Sequence, residues 1–264
     1  MRLPEYYSQL GPFEKTFLTG QPILTYHHVG PRPRGVRLKG LYASPKLFAR
    51  QMAELKSAGF STPPFVRVTE RGANQQRHIF LTFDDGFRDV FDLALPVLHG
   101  HGFQAIQFLV SDLIGKTNDW DARVGEVIRP LMDVAQVRDW LAAGHAIGAH
   151  TRTHPRLTQL APAAACEEIA GSRKALEDRF GMAVEHFCYP YGDCNEAVRD
   201  LVIAAGYRTA CTTEPGVNTV AESPFELKRF TARYPTRKLK VLWARWCDGW
   251  NAARNVTNAP RAGR

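Results

Sequence analysis

The chain of 264 residues contains no apolar run of the roughly 18 residues that a membrane-spanning helix requires. Its first residues also lack the apolar core of a signal peptide, so we expect no export by that route. The five cysteines are an odd number without CxxC spacing, which argues against a disulfide framework and against a cysteine metal cluster. These absences predict one globular domain over residues 1–264, with reduced thiols, located in the cytoplasm.

Acidic residues are scarce toward the C-terminus, where ten lysines and arginines from Lys228 onward stand against one acid, Asp248. This segment accounts for the formal net charge of +8. Tryptophans and leucines recur at helical spacing between the basic residues. The pattern predicts a basic amphipathic helix over 236–250, followed by a disordered tail over 251–264.

The basic helix has two interpretations, and the sequence leaves both open. Either the helix packs its tryptophans on the domain and leaves its charges in water, or it contacts an anionic membrane surface or glycan. In the second case the protein is peripheral to the inner face of the membrane. Nucleic acid is not expected as a partner, because no recognised nucleic-acid-binding motif accompanies the basic residues.

Predicted strands and helices alternate along the rest of the chain. Strands are expected at 22–29, 79–83, 105–110, 146–149, 186–189 and 208–212. Helices are expected from the N-cap Ser44 to Gly59, and at 88–98, 134–143, 163–180 and 196–205. Such repetition requires parallel strands with right-handed crossovers, in an open doubly wound sheet or a barrel. In both architectures functional side chains gather at the carboxyl ends of the strands.

Two adjacent carboxylates follow the second of these strands. Asp84 and Asp85 belong to the pentapeptide Thr-Phe-Asp-Asp-Gly at 82–86, where a buried-strand pattern is followed by a glycine. Two buried like charges require a compensating cation. His150 and His154 follow the fourth strand and are four positions apart. The pattern predicts a metal site of two histidines and one carboxylate, with Asp84 available for proton transfer.

Three short motifs carry a resemblance to a known family. The pentapeptide at 82–86, His-Thr-Arg-Thr-His at 150–154 and Tyr-Pro-Tyr-Gly at 189–192 resemble, in this order and spacing, the first three motifs of the polysaccharide deacetylases. This is the family with the NodB-type homology region, which the resemblance places at about 77–230. The resemblance implies an α/β fold, a distorted (β/α) barrel with about seven parallel strands rather than the eight of a regular barrel.

The resemblance also implies the activity, that of a metal-dependent hydrolase. Its substrate would be an N-acetylated, less often an O-acetylated, sugar of a glycan or glycolipid, from which it removes the acetyl group. The divalent metal would be held by Asp85, His150 and His154. Asp84 would be the general base, and the backbone N–H of Tyr191 would donate to the oxyanion. Two imidazole ligands favour zinc, with cobalt, nickel or iron as alternatives, over magnesium.

The chain departs from the family pattern at the position of one arginine. Cys188 stands where many members carry an arginine that orients the catalytic base, two residues before the proline of the third motif. Arg229 follows a late strand and is either the residue that reaches back to hold Asp84 or a plain surface arginine.

A second departure concerns the proton donor. Many members place a histidine near the end of the domain as general acid for the leaving amine, yet no histidine follows His186. His27, at the end of the first predicted strand, is the hypothesised replacement. The alternative is that His27 and His28 are structural.

Contacts with the substrate are predicted for four residues. Trp120 and Asp121 lie in a polar loop after the third strand, where they either offer a stacking face and hydrogen bonds to a sugar ring or form a plain loop. Pro190, which fixes a turn, and Arg229 complete this set. Two other functions stay open: a catalytically weakened barrel that binds metal and glycan, and a deacylase of a non-sugar amide.

Overall fold

Ten strands and six α-helices lie within residues 3–70 and 74–234, the part of the chain that this computed structural model describes. The strands are β1 Gln21–Tyr26, β2 His28–Val29, β3 Tyr42–Ala43, β4 Phe80–Phe83, β5 Ile106–Leu109, β6 Ala146–Ala149, β7 His186–Cys188, β8 Thr209–Cys211, β9 Val217–Asn218 and β10 Phe230–Thr231. The α-helices are α1 Glu14–Phe17, α2 Pro45–Ser57, α3 Leu95–His101, α4 Val134–Ala142, α5 Pro162–Phe180 and α6 Glu196–Ala204.

The main sheet is parallel and has helices in the connections between its strands. Its strand order is β10-β1-β4-β5-β6-β7-β8, and every neighbouring pair on this path is parallel. A further short strand, β9, pairs antiparallel with β1, while β2 and β3 form a separate parallel pair. The predicted α/β architecture with about seven parallel strands is therefore confirmed.

One short segment near the end of the described chain connects both sides of this sheet. Leu227 bridges in parallel to Cys211 of β8, whereas Phe230 of β10 pairs with Leu24 of β1. Because a few residues hydrogen-bond to both sides, the sheet is curled into a partial barrel. Arg229, between the two pairing points, has its side chain in the interior and is 1% exposed.

Local sequence signals define the ends of the helices. The Ser44 side chain accepts a hydrogen bond from the backbone N–H of Leu47 at the start of α2. Asp133 and Gln136 form a capping box at the start of α4. Gly102 ends α3 with a φ of 63°, a left-handed conformation that glycine adopts without steric cost. These signals explain why the helices predicted at 44–59, 134–143, 163–180 and 196–205 are present within a few residues of their expected bounds.

The structure differs from the prediction in two places. The strand expected at 22–29 is divided at His27, because β2 pairs with β3 instead of continuing in the main sheet. The helix expected from residue 88 begins with a π-helical turn, Val90–Ala94, that leads into α3.

The described residues up to Tyr234 form one compact unit. The helix predicted at 236–250 and the tail predicted at 251–264 lie outside the described residues. Among the helices of the described ranges, none combines the length and the apolar character needed to cross a membrane.

Candidate active site

Polar side chains line the barrel interior around Asp84, at the carboxyl end of β4. Alternate residues of a strand point to the same face, so Thr25 and His27 both reach toward Asp84 from β1. The Thr25 hydroxyl lies 3.5 Å and His27 Nε2 lies 3.8 Å from Asp84 Oδ2. Gln107 on β5 donates a hydrogen bond of 3.3 Å to the main-chain carbonyl of Asp84. The carboxylate is therefore enclosed, and the residue is 2% exposed.

Asp85 would point away from Asp84 if β4 simply continued. Instead its φ is 74°, in the left-handed region, and Gly86 follows with a φ of 85°. This turn brings the Asp85 carboxylate to the same mouth of the barrel. There its Oδ1 atom lies 3.3 Å from Nε2 of both His150 and His154.

Unusual backbone conformations are concentrated at this site. Five non-glycine residues of the described chain have a positive φ, and four of them surround the mouth of the barrel: Asp85, Thr151, His154 and Tyr191. A left-handed conformation costs a non-glycine residue on the order of 1–3 kcal/mol and persists only where the surroundings enforce it. The motifs are therefore held in positions that a relaxed chain would not adopt.

Three side chains converge in an arrangement that fits a divalent metal. Asp85, His150 and His154 are buried, and one potential ligand atom from each lies within 4.8 Å of the others. Among the described residues Asp85 Oδ1 has no hydrogen-bond partner, although it is buried. The outer nitrogens are already engaged, because His150 Nδ1 lies 2.7 Å from the Cys188 carbonyl oxygen and His154 Nδ1 lies 3.1 Å from the Tyr191 hydroxyl. Both Nε2 atoms are thus available to a cation.

A second set of side chains, Asp84, His150 and Cys188, also brings ligand atoms within 4.8 Å of one another. Arg229 occupies the space that an ion would need here, with Nη2 at 3.1 Å from the Cys188 sulfur and at 2.8 Å from Asp84 Oδ2. Two of the three side chains are thus already engaged by a fixed cation. The set that contains Asp85 is therefore the better candidate.

Arg229 is the ionic partner of Asp84. Its guanidinium donates two parallel hydrogen bonds to the carboxylate, Nη1 to Oδ1 and Nη2 to Oδ2, each 2.8 Å long. It also donates to the Thr82 hydroxyl at 3.0 Å and to the Thr212 carbonyl at 2.8 Å. Burial raises the pKa of Asp84 and is the largest single effect, but the charge and hydrogen bonds of Arg229, together with His27 and His150, outweigh it, and the pKa lies below its usual value.

The prediction that Arg229 binds substrate is wrong. Its side chain is 0% exposed, and its donors bond atoms of the barrel interior. A substrate at the mouth of the barrel cannot contact a guanidinium in this position. Arg229 holds Asp84 instead. Its guanidinium lies beside Cys188, the residue at the arginine position of the third motif.

The two adjacent histidines after β1 have different surroundings. His28 is stacked between Tyr42, at 4.1 Å between ring centroids, and Phe87, at 3.6 Å, and its Nδ1 lies 2.8 Å from Asp89. It is a packed structural residue. The ring of His27 is 18% exposed toward the mouth of the barrel, and no described residue bonds its Nδ1 atom.

Burial and the two nearby carboxylates act in opposite directions on the pKa of His27. Burial lowers the pKa of His27, and the charges of Asp85 and Asp84 oppose this effect without cancelling it. The pKa therefore lies below its usual value, and the imidazole is neutral at neutral pH in this arrangement.

Two aromatic rings contact the His154 imidazole. The Trp120 ring stacks on the His154 imidazole, with centroids 4.5 Å apart and an interplanar angle of 27°. Tyr191 is 43% exposed and approaches the same imidazole edge-on. Asp121 is 7% exposed and accepts a hydrogen bond from Asn118. Burial raises its pKa, which the Asn118 bond opposes.

Pro190 is buried at the start of the turn that contains Tyr191. Its fixed φ and missing N–H suit it to shaping the turn rather than to touching a ligand. The Tyr191 backbone has a φ of 61°, in the left-handed region, and is therefore not helical within the turn Pro190–Gly192. This departure sets the direction of the Tyr191 N–H.

The loop that carries both metal-site histidines is clamped by α5. Glu168 accepts hydrogen bonds through Oε2 from the backbone N–H groups of Arg152, at 2.8 Å, and Thr153, at 2.9 Å. Its Oε1 accepts from the Thr153 hydroxyl at 2.6 Å. The neighbouring Glu167 pairs with the side chain of Arg152. Glu168 therefore holds the main chain between His150 and His154, whereas Glu167 contacts only a surface side chain of that loop.

A family model described as polysaccharide deacetylase matches residues 71–210, more than half of the chain. The chain belongs to the polysaccharide deacetylase family. Its fold, the distorted barrel, and its class, a hydrolase of amide carbon–nitrogen bonds, follow from this membership.

Individual relatives agree with the family model. This polysaccharide deacetylase is 26% identical over 212 residues to a Bacillus subtilis protein assigned to the same family. The aligned region covers 79% of this chain and 70% of the relative. It is 24% identical over 165 residues to the poly-beta-1,6-N-acetyl-D-glucosamine N-deacetylase of Staphylococcus epidermidis, covering 60% of this chain and 57% of that protein. A solved polysaccharide deacetylase from Bacillus cereus superposes with a TM-score of 0.69 at 26% identity, covering 82% and 66% of the two chains.

Sequence reasoning missed three residues of this deacetylase site. Thr25 and Gln107 are polar residues within otherwise apolar strands, and this interruption was a usable signal for a functional interior. Glu168 had no such signal, because a glutamate on an exposed helix face is ordinary in sequence.

We expect Glu168→Gln to weaken zinc binding on the order of 10-fold, since supporting contacts of metal ligands typically contribute that much. A neutral amide oxygen would accept the two backbone N–H bonds more weakly than the charged carboxylate does. Glu167→Gln is the matched control, with the same charge change on the adjacent residue, and should bind zinc with nearly wild-type affinity. Chelator competition measures both. Equal affinities of the two variants would contradict a role for Glu168 in shaping the loop.

Proposed function

We propose that this deacetylase removes the acetyl group from an N-acetylated sugar of a glycan or glycolipid, with a divalent metal held by Asp85, His150 and His154. The observation that carries the proposal is the convergence of these side chains beside a second carboxylate, Asp84, that has its own buried arginine. The N-acetylglucosamine polymer in the name of the staphylococcal relative supports an N-acetylated substrate. An O-acetylated sugar is the less favoured alternative.

The proposed metal is zinc, with cobalt, nickel or iron as alternatives, because two imidazoles and one carboxylate form a donor set that these ions prefer over magnesium. A zinc ion at such a site supplies a Lewis acid and lowers the pKa of water from about 16 to about 7.

Asp84 is the proposed general base. The Arg229 pair keeps its pKa below the usual value, so the carboxylate is ionised at neutral pH and able to accept a proton from water. The same pair fixes the plane of the carboxylate, so that the accepting oxygen has one position. The backbone N–H of Tyr191 would donate to the oxyanion that forms on the acetyl carbonyl.

His27 is the proposed proton donor to the leaving amine. Its Nε2 lies 3.8 Å from Asp84 Oδ2, and its side chain is 18% exposed. Since the imidazole is neutral at neutral pH, it must first take up a proton, and Asp84 is the neighbour that has just received one. His27 would pass this proton to the amine nitrogen as the carbon–nitrogen bond breaks.

The rival function is a catalytically weakened barrel that binds metal and glycan. It was suggested by Cys188 at the arginine position and by the lack of a late histidine. Arg229 and His27 lie where they can replace both groups, which favours the hydrolase. Trp120 and Asp121 would contribute a stacking face and a hydrogen-bonding group for the sugar. A location in the cytoplasm, peripheral to the membrane through the predicted C-terminal helix, stays a prediction.

The activity is tested by acetate release from N-acetylglucosamine oligomers. A chelator should abolish release and zinc should restore it. Asp84→Asn, which keeps the shape of the side chain but cannot take the proton, should lower kcat by about 10²–10⁴ in the presence of zinc. Tight glycan binding without acetate release from any acetylated sugar would favour the rival function. Faster release from N-acetyl-lysine than from the oligomers would favour a non-sugar amide.

We expect Arg229→Met to move the acid limb of the pH profile of kcat/KM to higher pH. Without the guanidinium, burial, the largest effect on Asp84, is opposed only by His27 and His150 and raises its pKa, so the base is protonated at a pH where the wild type is still ionised. The variant also loses a buried ion pair, at a cost of about 3–5 kcal/mol of stability. Arg229→Lys keeps the positive charge and is the matched control. An acid limb at the same pH in both variants would contradict the assignment.

His27→Ala should lower kcat for an N-acetylated sugar by about 10²–10⁴, because the amine must be protonated as it leaves. Hydrolysis of 4-nitrophenyl acetate should be nearly unchanged, since the nitrophenolate departs without a proton. Initial rates on both substrates, measured with saturating zinc, separate proton donation from damage to the site. Equal losses on the amide and the ester would remove His27 from the role of donor.

A further inference from the structure

Both imidazoles of the metal site are oriented by one short segment of the chain. The carbonyl oxygen of Cys188, at the end of β7, lies 2.7 Å from His150 Nδ1. Three residues later the Tyr191 hydroxyl lies 3.1 Å from His154 Nδ1. The third motif therefore contacts the outer side of each histidine, in addition to presenting the Tyr191 N–H.

The His154 imidazole is confined by three contacts. Trp120 stacks on it at 4.5 Å, and the Tyr191 ring meets it edge-on at 4.6 Å with an interplanar angle of 66°. The two rings restrict the tilt of the imidazole, but neither fixes which nitrogen carries the hydrogen. The third contact is the Tyr191 hydroxyl at Nδ1, which can act as donor or acceptor.

The hydrogen bond to Tyr191 has a defined direction when Nε2 holds a metal. The Nε2 lone pair is then used by the cation, so Nδ1 carries the hydrogen and donates it to the phenol oxygen. Loss of the hydroxyl would leave a donor without an acceptor in a residue that is 6% exposed. The phenol oxygen is thus matched to the metal-binding form of His154.

Arg156 supports the tyrosine from its outer side. Its guanidinium carbon lies 4.2 Å from the centroid of the Tyr191 ring, a cation–π distance. Because Tyr191 is partly exposed and its backbone has a φ of 61°, this contact restrains a ring that the solvent side would otherwise leave loose.

We propose that Tyr191 has two separable roles. Its backbone N–H serves the reaction, and its side-chain hydroxyl is a positioning group that holds His154 in the orientation that binds metal and accepts the Nδ1 hydrogen when Nε2 binds metal, with Arg156 bracing the ring. The inference rests on the proposed metal-dependent function. It assigns metal affinity to a side chain of a motif whose expected contribution was the main chain alone.

The test is zinc affinity measured by chelator competition on the full chain. Tyr191→Phe keeps the ring and the backbone N–H, and should bind zinc about 10-fold more weakly, in line with the effect of other outer contacts of metal ligands. Tyr189→Phe is the matched control in the same motif, because the Tyr189 hydroxyl donates to the Phe225 carbonyl at 3.0 Å and not to an imidazole. Its zinc affinity should equal that of the wild type, whatever it loses in stability.

One further measurement completes the test. Arg156→Gln should weaken zinc binding by a smaller factor, about 2- to 5-fold, as expected for one cation–π contact.

The outcomes distinguish this inference from the function on which it rests. A wild-type chain that binds no zinc and releases no acetate would refute the proposed function itself. Equal zinc affinity of the wild type and Tyr191→Phe, in an active wild type, would overturn only the role of the hydroxyl.

Discussion

The buried ion pair between Asp84 and Arg229 is the interaction on which the rest of the site depends. Two adjacent carboxylates lie at the mouth of an apolar barrel, and neither is tolerated there as an isolated charge. The pair neutralises Asp84 inside the protein, so the metal-site residues His150 and His154 remain for Asp85 alone. The different roles that we propose for Asp84 and Asp85 therefore follow from the balance of charge around them. Asp84 is held by a fixed cation, and Asp85 is left for the metal ion that we propose.

This pair also couples the architecture to the chemistry. Arg229 is placed by the segment that pairs with β8 through Leu227 and with β1 through Phe230. The segment that joins the two sides of the curled sheet thus also places the Arg229 guanidinium beside Asp84. A chain in which this segment is displaced would lose the barrel edge and leave Asp84 buried without a partner.

Local patterns in the sequence were sufficient for much of this structure. Helix caps such as Ser44, and the apolar runs that became β4 to β8, have signals within a few residues, and the carboxyl ends of parallel strands bring Asp84 and His150 to one face. Contacts between distant residues had no such signal. Glu168 reaches the backbone of a loop sixteen positions earlier, and neither its exposure nor its spacing distinguishes it from an ordinary surface acid. The left-handed φ of Asp85, which turns its carboxylate beside the histidines, is equally invisible in an aspartate.

Cys188 and Arg229 show why a motif is better compared by occupied volume and charge than by residue identity. The Cys188 sulfur lies 3.1 Å from Arg229 Nη2, so the small side chain leaves the space that the guanidinium fills from across the barrel. An arginine at position 188 would bring a second cation into that volume, and only one carboxylate, Asp84, is there to receive it. The interior of a barrel is shared by all its strands, and a charge required at its centre can be supplied from any of them. What the chemistry constrains is the place of the guanidinium beside the base, and the strand that carries it is interchangeable.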